Sequence, residues 1–136
     1  MTGALLVVLS SPSHLRAADK PPAVVVTPLL TTVTTASGQP IILPRGRARL
    51  IVSTYVIAPG ARLPVHRHLY PRYAYVLDGQ LRVTEIKTHR KFDYKKGDFV
   101  AEMIGAEHFG ENTGDIPLRL LVIDLVPKNV SNNSRP

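Results

Sequence analysis

Residues 59–79, PGARLPVHRHLYPRYAYVLDG, decide how this chain is read. Pro59-Gly60 is a turn, and His66 and His68 then stand two positions apart, which on a strand points both imidazoles to one face. Two rings on one face can grip a single ion if a neighbouring strand supplies a third ligand, and imidazole suits Zn, Cu, Fe and Ni. Tyr73 to Leu77 follows as a strand-like run and ends at Asp78-Gly79. That dipeptide favours a two-residue type I′ hairpin into the next run, Gln80 to Ile86.

Downstream the same pattern continues. Lys87 to Lys91 reads as a polar tip, Phe92 to Tyr94 as a short strand, and Lys95-Lys96-Gly97-Asp98 as a turn before a strand at Phe99 to Met103. The basic residues from Lys87 to Lys96 read as a solvated sheet edge, where lysines block pairing with another chain. Gly114-Asp115-Ile116-Pro117 turns the chain into a last apolar run, Leu118 to Val126. Upstream, Arg49 to Ile57 is a strand, Ile41 to Leu43 a short one after the turn Ser37-Gly38-Gln39-Pro40, and Ala23 to Thr35 one or two strands broken at Pro28. Dense β-branched residues, frequent Pro and Gly and no helix-length amphipathic stretch make the chain all-β. Strands at this regular spacing imply a barrel or sandwich.

A third histidine, His108, belongs to a second pattern: Gly97, Gly105, His108 and Asn112, with Met103 where a proline is usual. Taken with Gly60, His66, His68 and Gly79, it resembles the two motifs of the cupin family, in the expected order, over residues 59 to 112. The resemblance implies a cupin-type double-stranded β-helix, a conical jelly-roll barrel of two antiparallel sheets. It implies His66, His68 and His108 converging on one divalent transition metal, Fe, Mn, Zn, Ni or Cu, and Asn112 fixing a turn. It also implies homodimers as the common assembly. The family spans dioxygenases, decarboxylases, isomerases, storage proteins and ligand sensors, so the reaction does not follow from the fold.

The family's glutamate ligand falls on Arg72, and Leu69, Tyr70, Pro71 and Tyr73 offer no carboxylate. A unit positive charge ~5 Å from a divalent ion costs roughly 6 to 7 kcal/mol at an effective dielectric near 20. Arg72 must therefore swing to solvent or meet an anion that bridges it to the metal, and the second is the expectation here. Glu102, at the end of its strand, is either a substitute ligand or acid/base group facing the cavity, or a rim carboxylate bound to backbone or to an arginine. Glu107 and Glu111 have odd spacing from His108 and should point away. Tyr73 and Tyr75 share the parity opposite to Arg72, Ala74 and Val76, which suits packing between subunits better than ligand binding.

Composition bounds the rest. A length of 136 residues fits one domain, placed at residues 21–127, with a signal-like segment at 1–20 and a polar, frayed tail at 128–136. The segment at 1–20 has a short apolar run, Ala4 to Leu9, with no basic residue before it, so export and cytoplasmic residence stay open. The formal charge is +7, but the basic residues are scattered without a recognition helix or an aromatic stacking series, which argues against nucleic acid. The absence of cysteine excludes disulfides, thiolate metal sites and thiol nucleophiles. No run reaches the roughly 18 apolar residues of a membrane-spanning helix. Two functions fit: an enzyme, dioxygenase-like or related, acting on a small anionic substrate, and a non-enzymatic module that binds metal or a small ligand.

Overall fold

The computed structural model describes residues 23–134, which contain nine β-strands and no helix. They are β1 (Ala48–Ile57), β2 (Arg67–His68), β3 (Arg72–Asp78), β4 (Gln80–Glu85), β5 (Lys91–Lys95), β6 (Phe99–Ala101), β7 (His108–Asn112), β8 (Leu118–Pro127) and β9 (Asn133–Ser134). Two antiparallel sheets, in the orders β1-β8-β3-β6 and β5-β4-β7, form the barrel, and β2 pairs with β9. The fold is the double-stranded β-helix expected from the sequence.

Alternation places the core. Along β8, Leu118, Leu120, Val122, Asp124 and Val126 are buried, and along β3 Arg72, Ala74 and Val76 are buried. Leu81 and Val83 of β4 meet them from the facing sheet, and Met103 is buried in the same cluster. Fully burying one such aliphatic side chain stabilises the fold by ~1.5–3 kcal/mol. The odd residues of β3 face outward, where Tyr73 and Tyr75 lie 6.2 and 6.5 Å from Phe99.

Asp78-Gly79 is not a hairpin. β3 pairs with β6 and β8, and β4 pairs with β5 and β7, so the chain crosses from one sheet to the other at this point. A type I′ turn needs positive φ at both central residues; Gly79 has φ +82° and Asp78 does not. Two further expectations fail for want of a partner. Ala23 to Thr35 and Ile41 to Leu43 are β-rich in composition, yet among the described residues they form only the single bridge Thr34↔Pro40. The segment read as a frayed tail also behaves otherwise: β9 pairs with β2, and Asn132 is buried. The signal-like segment 1–20 lies outside the described residues.

Candidate metal centre

Each histidine reaches the barrel interior through backbone pairing. His66 and His108 bond each other reciprocally, amide to carbonyl at 2.9 Å both ways. His68 lies on β2, and its carbonyl accepts from Gly105 N at 2.7 Å. Gly105, with φ +72°, turns the chain between Glu102 and His108. The motifs are thus joined by hydrogen bonds, which is why histidines some forty residues apart in sequence meet.

The three rings form a near-equilateral triangle, with centroids 4.8, 4.6 and 4.9 Å apart. One nitrogen from each lies within 4.8 Å of the others. Two nitrogens on one ion at ~2.1 Å each stand about 3.4 Å apart at a tetrahedral angle, so binding would draw the widest pair together by more than about 1 Å. His66 Nδ1–H donates to Pro64 O and His108 Nδ1–H to Ala106 O, both at 2.8 Å. A carbonyl only accepts, so these bonds put the proton on Nδ1 and the lone pair on Nε2 of both rings. Burial, aided by the neighbouring His108 and His68 and opposed by the Pro64 bond, lowers the His66 pKa to about 4. Its ring is therefore neutral at neutral pH, as a ligand requires.

Glu102 faces the site. Its Oε2 accepts from His68 Nε2 at 3.0 Å and lies 3.6 Å from His108 Nε2. Burial pushes its carboxyl up, but the hydrogen bond from His68 and the charge of Arg72 hold it well below the usual carboxylate range. Glu102 thus lines the cavity beside the histidines. Glu111 is directed away from the interior along β7, as its parity requires. Asn112 is buried and pins the turn after it, donating to Ile57 O and Ile116 O and accepting from Gly114 N.

Arg72 meets neither of the fates anticipated for it. Its guanidinium is buried and forms a bidentate pair with Asp124, Nε to Oδ1 at 2.7 Å and Nη2 to Oδ2 at 2.8 Å. Burial works against its charge, but Asp124 and Glu102 outweigh this and raise its pKa. The anion that neutralises Arg72 is thus part of the protein. Asn132 completes the network, donating from Nδ2 to Asp124 Oδ1 at 2.6 Å and to Tyr70 O at 3.1 Å. Neither Asp124 nor Asn132 was singled out from sequence. The available signal was Asp124 itself, the one charge on the inward face of β8, where a buried partner is obligatory.

The same rings suit a metal ion. His68 Nδ1 and His108 Nε2 are buried without any hydrogen-bond partner, and a lone pair left so is what a bound cation satisfies. Beside His66 and His108 is a narrow cavity of about 20 Å³, walled largely by Leu63, Leu81, Leu120 and Val122, with Glu102 and Arg72 at its polar side.

A two-sheet barrel with three convergent histidines inside defines a small protein with a metal-competent centre. The family model described as "Cupin domain" matches residues 53–124, and the chain belongs to the cupin family. Among solved structures, oxalate decarboxylase from Bacillus subtilis is 29% identical at a TM-score of 0.50, over 55% of this chain and 21% of that one. This chain thus spans about a fifth of that enzyme's length. A predicted oxalate decarboxylase from Thermotoga maritima is 25% identical at a TM-score of 0.51, over 59% of this chain and 68% of that chain. The polyketide cyclase RemF from Streptomyces resistomycificus, 21% identical at a TM-score of 0.54 over 71% and 68%, shares the fold. No curated protein matches the sequence.

Proposed function

We propose that this chain is a metal-dependent enzyme that holds one divalent transition ion (Fe, Mn, Zn, Ni or Cu) on His66, His68 and His108 and acts on a small carboxylate. The observation that carries the reading is the pair of partnerless buried nitrogens, His68 Nδ1 and His108 Nε2. Leaving a buried polar atom unsatisfied costs ~1–3 kcal/mol, and a cation in the triangle removes that cost. Such an ion supplies Lewis-acid polarisation of a substrate oxygen.

Glu102 takes the place of the carboxylate that the family has at the Arg72 position, contributing from the next strand. Its charge partly compensates a divalent ion on neutral imidazoles and leaves a net positive centre that attracts an anion. Arg72 is paired with Asp124 through Nε and Nη2, so its charge is already answered within the protein. The oxalate decarboxylases among the similar structures support a small carboxylate as substrate class.

A second reading, a module that holds a metal or small ligand without turnover, is favoured by the narrowness of the cavity, which is close to the volume of one water. Metal-loaded protein offered oxalate and a panel of small carboxylates separates the two, with carbon dioxide release and oxygen uptake as readouts. The enzyme reading expects turnover with at least one of them, lost in His66→Ala, and metal binding weakened ~10–100-fold in Glu102→Gln. Metal-loaded wild type that is inert to the whole panel overturns it in favour of the binding module.

A further inference from the structure

Residues 20–77 contain no aspartate or glutamate, while Arg45, Arg47, Arg49, Arg62, Arg67 and Arg72 all fall within them. Arg72 is buried against Asp124, and the other five are exposed. The fold gathers four of those five at one end of the barrel. β1 begins beside the end of β8, in the register Ala48↔Pro127, which sets Arg47 and Arg49 next to the segment that follows β8. Arg49 Nη2 donates to Val130 O at 2.9 Å, and Arg67 pairs with Ser134 a few residues further on. Arg45 stands just before β1, and the exposed Lys128 adds a fifth cation. Among the described residues none of these five cations makes an ion pair.

The same end is also apolar. Side chains alternate through residues 66–69, so the stretch that turns His66 and His68 inward turns Arg67 and Leu69 outward. Leu69 is 50% exposed and shares a surface cleft of about 480 Å³ with Ile42 and Leu43, which are 68 and 58% exposed; Arg45 and Tyr70 line it too. The loop that carries Ile42 and Leu43 is pinned. Gln39 Nε2 donates to Ile104 O at 2.7 Å, and Gln39 Oε1 accepts from Ile104 N at 3.3 Å. Pro40 and Pro44 bracket the aliphatic residues and restrict the backbone on either side. Their exposure is thus built into the fold, and it lies beside unpaired positive charge.

We propose that this end of the barrel docks on a membrane surface rich in anionic lipid, with Ile42, Leu43 and Leu69 entering the interfacial layer and Arg45, Arg47, Arg49 and Arg67 meeting lipid phosphates. Such a surface answers both features at once. Its acyl boundary takes up exposed aliphatic side chains, and its phosphates match the planar fork of a guanidinium. A soluble polyanion would pair with the arginines and leave the three aliphatics in water. An apolar partner protein would cover the aliphatics and leave the charge unanswered. The formal charge of +7 draws the whole chain toward an anionic surface from a distance.

The docking face shares β2 with the histidine triangle but none of its side chains. Docked, the barrel holds its His68 end toward the lipid and its other end, where Lys96 lies 3.4 Å from Asp78 at the finish of β3, toward water. Basic residues occur at both ends, so net charge alone would not choose an orientation. The exposed aliphatics of the arginine end do.

Cosedimentation of the full-length protein with vesicles of phosphatidylcholine alone, and of phosphatidylcholine mixed equally with phosphatidylglycerol, tests the proposal. Wild type should partition to the mixed vesicles and not to the neutral ones. Each basic residue at an anionic surface strengthens binding roughly fivefold, so Arg45→Ala/Arg47→Ala should weaken partitioning by about 25-fold. Ile42→Ser/Leu43→Ser should weaken it roughly tenfold or more. Lys95→Ala/Lys96→Ala removes the same charge at the opposite end and should bind as wild type does. A second readout uses the natural absence of cysteine. An environment-sensitive dye on Leu43→Cys should shift to the blue when mixed vesicles are added, and the same dye on Lys96→Cys should not. Wild type that fails to partition, or equal losses in the arginine and lysine pairs, overturns the proposal. So does binding untouched by Ile42→Ser/Leu43→Ser, the signature of free phosphate or a soluble polyanion. A dye on Leu43→Cys that shifts with protein concentration and without vesicles overturns it as well, because a second copy then covers this face.

Discussion

A guanidinium inside a barrel is tolerated when its charge is paired, and Arg72 is paired in bidentate fashion with Asp124, which Asn132 in turn holds. Breaking a buried pair leaves an uncompensated charge and costs ~3–5 kcal/mol, whereas replacing both partners with apolar groups is often close to neutral. Arg72→Met should therefore destabilise the protein by about that amount in urea unfolding, and Arg72→Met/Asp124→Leu should recover most of it. A single variant within ~1 kcal/mol of wild type would mean that the pair contributes little to the fold. At this scale the sequence was legible where chemistry and spacing coincide, as at His66, His68 and His108. Arg72 was identified as anomalous, but its partner sits fifty-two residues away on β8, and no local spacing connects them. Glu102 was visible as a candidate, while its orientation depended on the turn through Gly105.

Strands were easier to read than their pairings. β1, β3, β4, β5, β6 and β8 fall close to the runs picked out by alternation and turn residues. The Asp78-Gly79 error arose because a dipeptide specifies a sharp reversal of the chain and not which sheet the chain enters next. Ala23 to Thr35 failed for the converse reason: β-branched composition describes a segment that fits a sheet, and only a partner makes it a strand. Gly79 stands where the chain crosses, with φ +82°, and a Cβ there would come within 2.8 Å of Leu118 Cα and 3.1 Å of Pro117 O. Gly105 has a similar φ of +72° with nothing within 4 Å of a Cβ. Gly105→Ala should thus cost only the ~1–2 kcal/mol of left-handed backbone, and Gly79→Ala clearly more, because backbone must move as well. Equal shifts in the two urea midpoints would contradict the close packing of this crossing against β8.

The molecule as a whole is a barrel whose interior serves both as core and as site. Leu81, Val83, Leu120 and Val122 belong to the core and also line the cavity beside His66 and His108. Its closure extends past the last long strand, since β9 pairs with the β2 residues Arg67 and His68, and Asn132 fastens Tyr70 to Asp124. Removing residues 131–136 should lower the melting temperature and loosen the strand that carries His68, so that metal affinity falls with it; unchanged melting would show that the segment is dispensable. The proposed function makes this barrel a metal centre built on three histidines. Elemental analysis of untagged protein, purified without added metal and compared with His66→Ala/His108→Ala, tests it most directly. About one divalent transition ion per wild-type chain, absent from the double variant, is the expected result, and equal metal content in the two would contradict it.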